Sequence, residues 1–170
     1  MDMESIKDFL YKSAGQFMFE RPVRTTSYVK LIRSLEKGRE VVDERIALAE
    51  ESAENREQLA HIVGIERWAQ SRLRGFLGGR YEMDDYDQYA PSTSLSVAEM
   101  RNEFNEAREA TVETVRRLDL SGVMSYEKVP HNQFGELTSR GWIQYILGHS
   151  NIESRRLKKA KAEPAPTTAA

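Results

Sequence analysis

Three side chains in this sequence combine residue types and spacing suited to metal chemistry: His61, His149 and Glu153. His149 and Glu153 are four residues apart, so on a helix they project from one face, one turn apart. They continue the line of Trp142 and Ile146, which otherwise reads as a core stripe. An imidazole and a carboxylate on a core-facing stripe cost free energy unless something binds them. His61 lies at the edge of an apolar arc that includes Ile65 and Trp68. Two histidines and one carboxylate from two helices can hold a divalent ion and leave positions open for water and substrate. That donor set admits zinc, nickel, manganese or iron. A plainer reading stands beside this one: His-x-x-x-Glu also occurs as a helical hydrogen-bonded pair, and a lone His61 as a boundary histidine.

Other chemistries fit less well. A di-iron carboxylate bundle needs Glu-x-x-His on two helices, but Gln58 precedes His61 by three residues and Ile146 precedes His149 by three. His-Glu-x-x-His, Gly-x-Ser-x-Gly and phosphate-loop signatures are missing. Asp84, Asp85 and Asp87 lack the glycine and glutamate spacing of a calcium loop and read as a solvated patch. The basic run Arg155, Arg156, Lys158, Lys159, Lys161 has no interleaved aromatics and complements a helix C-terminus rather than nucleic acid. His131, beside Pro130 in a loop, is expected to be exposed.

Composition sets the frame. A chain of 170 residues is the size of one domain and can bury a core without staples. Its net charge of −2 gives no global field toward nucleic acid or membrane. It has no cysteine, which excludes disulfides, thiolate zinc sites and cysteine nucleophiles within the chain. The acidic residues Asp2, Glu4, Asp8 and Glu20 interrupt any secretory h-region, and no stretch approaches a membrane span. The expected location is cytoplasmic, with no nucleic-acid or membrane partner.

The elements that must position the three candidate ligands are helical. A short amphipathic helix is expected over about 4–19, through Ile6, Phe9, Leu10 and Phe17, ended by Pro22. The first long helix spans about 26–50, with stripe Tyr28, Ile32, Leu35, Val42, Ile46 and Ala49. After a hinge at 51–55, the second runs to about Leu77, where Gly78-Gly79 stop it. An acidic, tyrosine-rich connection, 80–94, suits a crossover. Ser96-Val97-Ala98-Glu99 is a capping box that opens the third helix, to about Leu118. A loop over 119–137 leads to the fourth, about 138–160. The tail from Lys161 to Ala170 reads as disordered. The expected fold is therefore all-α: a four-helix bundle with a long crossover between helices two and three, plus a short N-terminal helix. The divisions are 1–23 as extension, 24–160 as bundle and 161–170 as tail.

On this pattern the chain resembles the DinB/YfiT-like superfamily of bacterial four-helix-bundle metalloenzymes. The resemblance rests on Gln58-Leu59-Ala60-His61-Ile62-Val63-Gly64-Ile65-Glu66, on Tyr89-Ala90, Ser94-Leu95-Ser96 and the helix from Phe104 to Arg108, and most specifically on Phe134-Gly135-Glu136-Leu137-Thr138, Trp142-Ile143 and His149. It covers roughly residues 25 to 160. It implies a crossover bundle, often a homodimer, acting on a small-molecule substrate. It also implies a metal held by one histidine of helix two and a His-x-x-x-His pair of helix four. Carried onto this sequence, the histidines are His61 and His149, and Glu153 takes the third place, a departure that lowers the charge and Lewis acidity of a bound metal. The Trp-Ser pair that often precedes helix two is also missing. Characterised relatives use a low-molecular-weight thiol as cosubstrate, so the resemblance implies a thiol transferase or hydrolase. Trp68, Trp142 and Tyr145 would then line the pocket, with no catalytic residue assigned. Two other readings stay open: a bundle with a vacated site that binds a small molecule or partner, and a structural dimer joined through Phe9, Leu10 and Phe17.

Overall fold

The computed structural model describes residues 3–160; the tail expected to be disordered lies outside the described residues. The chain runs α1 (Met3–Gly15), a π-helical turn (Gln16–Glu20), a 3-10 turn (Arg21–Val23), α2 (Tyr28–Ala47), α3 (Ala53–Gly75), a 3-10 turn (Tyr86–Tyr89), α4 (Val97–Ser121), a hairpin of β1 (Lys128–His131) and β2 (Gly135–Thr138), and α5 (Ser139–Glu153). Each long helix starts at a hydroxyl N-cap. Ser27, Ser52 and Thr138 accept from Lys30, Asn55 and Gly141 N–H, and Ser96 forms the full capping box with Glu99.

α2 and α3 each pack against both α4 and α5, which makes the four-helix bundle. The core has two parts. One joins Leu35, Ile65, Trp68, Leu73, Leu118, Trp142 and Ile146; the other joins Val42, Ile46, Leu59, Ile62, Met100 and Phe104. The crossover after α3 folds back onto that helix, which Gly64 permits: a Cβ there would stand 3.1 Å from the Ala90 Cβ. Among the described residues no helix is long and apolar enough to cross a membrane.

The structure departs from the sequence-based expectations in four places. The loop before α5 holds a hairpin in which Val129 pairs with Leu137, both buried. It forms because Val129 and Leu137 pair at buried positions flanked by less buried neighbours and because the Trp142 indole donates to the Val129 carbonyl at 3.0 Å. α5 ends at Glu153 rather than Ala160. There Asn55, buried at the start of α3, donates to the Lys158 carbonyl and accepts from Lys158 N–H, both at 2.9 Å, and holds that segment extended. Asp84 is not part of a solvated patch: its carboxylate meets the fully buried Arg72 at 3.1 Å and accepts from the Tyr89 hydroxyl at 2.6 Å. In the N-terminal segment Phe9, Leu10 and Phe17 are exposed, as the dimer reading has them, and the departure is Phe19, which enters the core.

Candidate functional site

His61 on α3 and His149 on α5 face each other across the bundle. Their Nε2 atoms are 3.1 Å apart and the ring centroids 4.9 Å apart. Tyr86 of the crossover meets the His61 ring edge-on at 4.9 Å, and Tyr145, one turn before His149, lies 5.8 Å from that ring. The pair lines a cavity of about 560 Å³ that also takes in Phe19, Trp68, His131, Phe134, Tyr145 and Glu153. Its walls are mainly aromatic with a few polar groups, the composition of a small-molecule site.

Burial keeps both imidazoles neutral. His149 is pushed down to about 3, first by burial and then by His61, Arg156 and His131 nearby. His61 is lowered by burial too, against the pull of Glu153 and Asp87. Neutral imidazole is the form that ligates metal. Two nitrogens bound at about 2.0–2.1 Å to one ion stand about 2.8–3.0 Å apart as cis octahedral ligands and about 3.3–3.4 Å apart in tetrahedral geometry, so the 3.1 Å separation lies between the two. The same distance fits one ring donating to the other.

Glu153 lines the same cavity, but its carboxylate is engaged. Oε2 accepts from Gln58 at 2.9 Å and from Arg156 at 2.7 Å. Among the described residues no group of three or more His, Asp or Glu side chains is placed to hold a metal ion. Two imidazole nitrogens could ligate an ion there, and the Glu153 carboxylate lines the same cavity, held by Gln58 and Arg156. Of the expected pocket aromatics, Trp68 and Tyr145 line the cavity. Trp142 is fully buried behind them, 5.3 Å from the Trp68 ring.

His131 corrects an expectation: it is 6 % exposed, not a surface loop residue. The hairpin carries it inward, onto Trp142 in a stacked contact at 5.0 Å and against Tyr145 at 4.6 Å. Its Nδ1 accepts from the amides of Gln133 and Phe134 at 3.0 and 3.3 Å. The ring proton therefore sits on Nε2, which is buried and has no hydrogen-bond partner. Burial, then the charge of Arg72, push it down to about 3. The missed signal was the alternation of Val129, His131 and Leu137, which sets the histidine on the buried side of the hairpin. Phe19 and Met18 were also missed as cavity walls.

A four-helix bundle with an interhelical, histidine-lined cavity defines the class. The family model of the DinB superfamily matches residues 24–152, and the chain belongs to that superfamily. No curated protein and no solved structure matches it.

Proposed function

We propose that the cavity is the active site of a metal-dependent enzyme of thiol-transferase or hydrolase type, with His61 and His149 as nitrogen ligands and Glu153 as the carboxylate donor. The observation that carries this reading is the pair of neutral imidazoles on two helices, Nε2 to Nε2 at 3.1 Å, opening on a cavity. A divalent ion bound there would lower the pKa of a bound water or thiol and supply a nucleophile at neutral pH. The chain's own groups do the rest. Burial holds the imidazoles deprotonated and ready to ligate. Gln58 and Arg156 fix the Glu153 carboxylate, as outer partners fix a ligating carboxylate. Trp68 and Tyr145 exclude bulk water from one side of the pair.

The test is metal analysis of protein purified without a nickel column. About one equivalent in the native chain, lost in His149→Ala, is the expected result. Substoichiometric metal unchanged by that substitution overturns the reading.

A second reading, a pocket that binds a small molecule without metal, is favoured by the Glu153–Arg156 ion pair at 2.7 Å, which already neutralises the carboxylate. It predicts a melting temperature that a chelator does not move, whereas the metal reading predicts a fall on chelation.

A further inference from the structure

The residues before position 24 lie outside the superfamily match, yet they complete the cavity. Phe19 is 7 % exposed and meets Phe134 at 5.0 Å and Tyr145 at 5.4 Å, both edge-on. Met18 beside it is half exposed and also lines the cavity. Both sit in the π-helical turn Gln16–Glu20, whose width is closed by the Arg21 N–H donating to the Gln16 carbonyl. Such turns are rare and concentrate at functional sites.

The turn is fastened at both ends. Gly15 lies so close to the hairpin that a Cβ there would collide with the Phe134 carbonyl oxygen. Glu20 accepts from the Thr138 amide at 2.7 Å and from the Thr138 hydroxyl. Phe19 is thus set in place by the close backbone approach at Gly15 on one side and the Glu20 carboxylate on the other, rather than draped over the opening. Tyr145 links it to the histidines, since its ring touches both Phe19 and His149.

We infer that the turn Gln16–Glu20 is the specificity wall of this cavity, and that the substrate carries a planar aromatic ring which packs against Phe19 and Met18. Ring edges and faces from Phe19, Trp68 and Phe134 favour a flat π system over an aliphatic body of equal size. A methionine thioether adapts to the ring's outline. A cavity of about 560 Å³ accommodates one or two fused rings and a reacting substituent. This inference rests on the cavity being a small-molecule site; it does not depend on the metal.

Isothermal titration calorimetry of the full chain with 2-naphthol and with cyclohexanol tests it, alongside metal content. The native chain is expected to bind 2-naphthol at least about tenfold more tightly than cyclohexanol, with or without chelator. Phe19→Ala should abolish that preference while leaving metal content unchanged, and Phe19→Tyr should keep it. Met18→Ala, at a half-exposed and tolerant position, should weaken 2-naphthol about threefold. It decides the matter if Phe19→Ala does not fold. No preference in the native chain, a preference retained in Phe19→Ala, or unchanged 2-naphthol affinity in Met18→Ala overturns the inference. A metal lost to the chelator with 2-naphthol still bound separates this result from the fate of the metal reading.

Discussion

Two polar clusters lie five residues apart on α3, and they are built on opposite plans. Glu66 meets Arg108 through two bonds, at 2.7 and 2.8 Å, with both side chains essentially fully buried. Thr111 donates to Glu66, and Arg108 also donates to Ser150 and to the Leu35 carbonyl. His61, one and a half turns earlier, has among the described residues a single close polar contact, to His149, and faces a cavity. The first cluster ties α3 to α4, α2 and α5, and neither of its two charged side chains lines the histidine cavity. The second leaves its two Nε2 atoms facing each other with space beside them. A buried polar group satisfied on all sides specifies a fold; one left half satisfied beside a cavity specifies a binding event.

The contrast breaks first at Arg108. Arg108→Ala leaves the Glu66 carboxylate buried without its partner, and is expected to cost about 3–5 kcal/mol in denaturant unfolding. An effect under about 1 kcal/mol would show that the two clusters are not different in kind.

The next effect is on pH. His131 holds its proton less readily folded, at about 3, than unfolded. The unfolded chain therefore binds more protons between those values. Stability is whole above about pH 6.5 and falls as the pH drops toward 3, by at most about 1.4 kcal/mol per unit for this group. Unfolding free energies at pH 7.5, 6 and 5 should show that slope reduced in His131→Phe. An unchanged slope would assign it elsewhere.

At the half-satisfied pair, His149→Ala should change stability by about 1 kcal/mol or less in the metal-free protein, while removing metal from the native complement. A loss as large as that of Arg108→Ala would make the pair structural. The smallest effect belongs to Arg156→Ala. Its side chain is 65 % exposed, so thermal melts should move by no more than about 0.5 kcal/mol. Metal affinity should fall if Arg156 orients the Glu153 carboxylate as an outer partner and rise if the pair competes with ligation, and an affinity unchanged within error would make that pair irrelevant to the site.

The helices, the Ser96–Glu99 capping box and the crossover were legible because apolar period and capping chemistry act locally. That His61 and His149 face one bundle interior was legible for the same reason: His149 continues a core stripe and His61 lies at the edge of an apolar arc. The hairpin was not, since Pro130 and the turn at 132–134 lack the Asn-Gly or Asp-Gly signal. What holds it is the remote indole of Trp142. The burial of His131 followed that loss. The cavity wall was hidden for a related reason. The apolar stripe of the N-terminal segment points to Phe9 and Phe17, and the π turn shifts the phase so that Phe19 faces inward instead. The engagement of Glu153 depends on Gln58, on another helix, and no spacing rule within α5 reveals it.

Glu20 does two jobs with one carboxylate. It holds the Thr138 amide and hydroxyl, and that same hydroxyl caps the Gly141 N–H at the start of α5. Release of the turn at 16–20 and fraying of the first turn of α5 are therefore one cooperative opening, not two. The exchange rate of the Thr138 amide with solvent deuterium becomes a clock for how often the cavity uncovers, and a ligand seated against Phe19 should slow it.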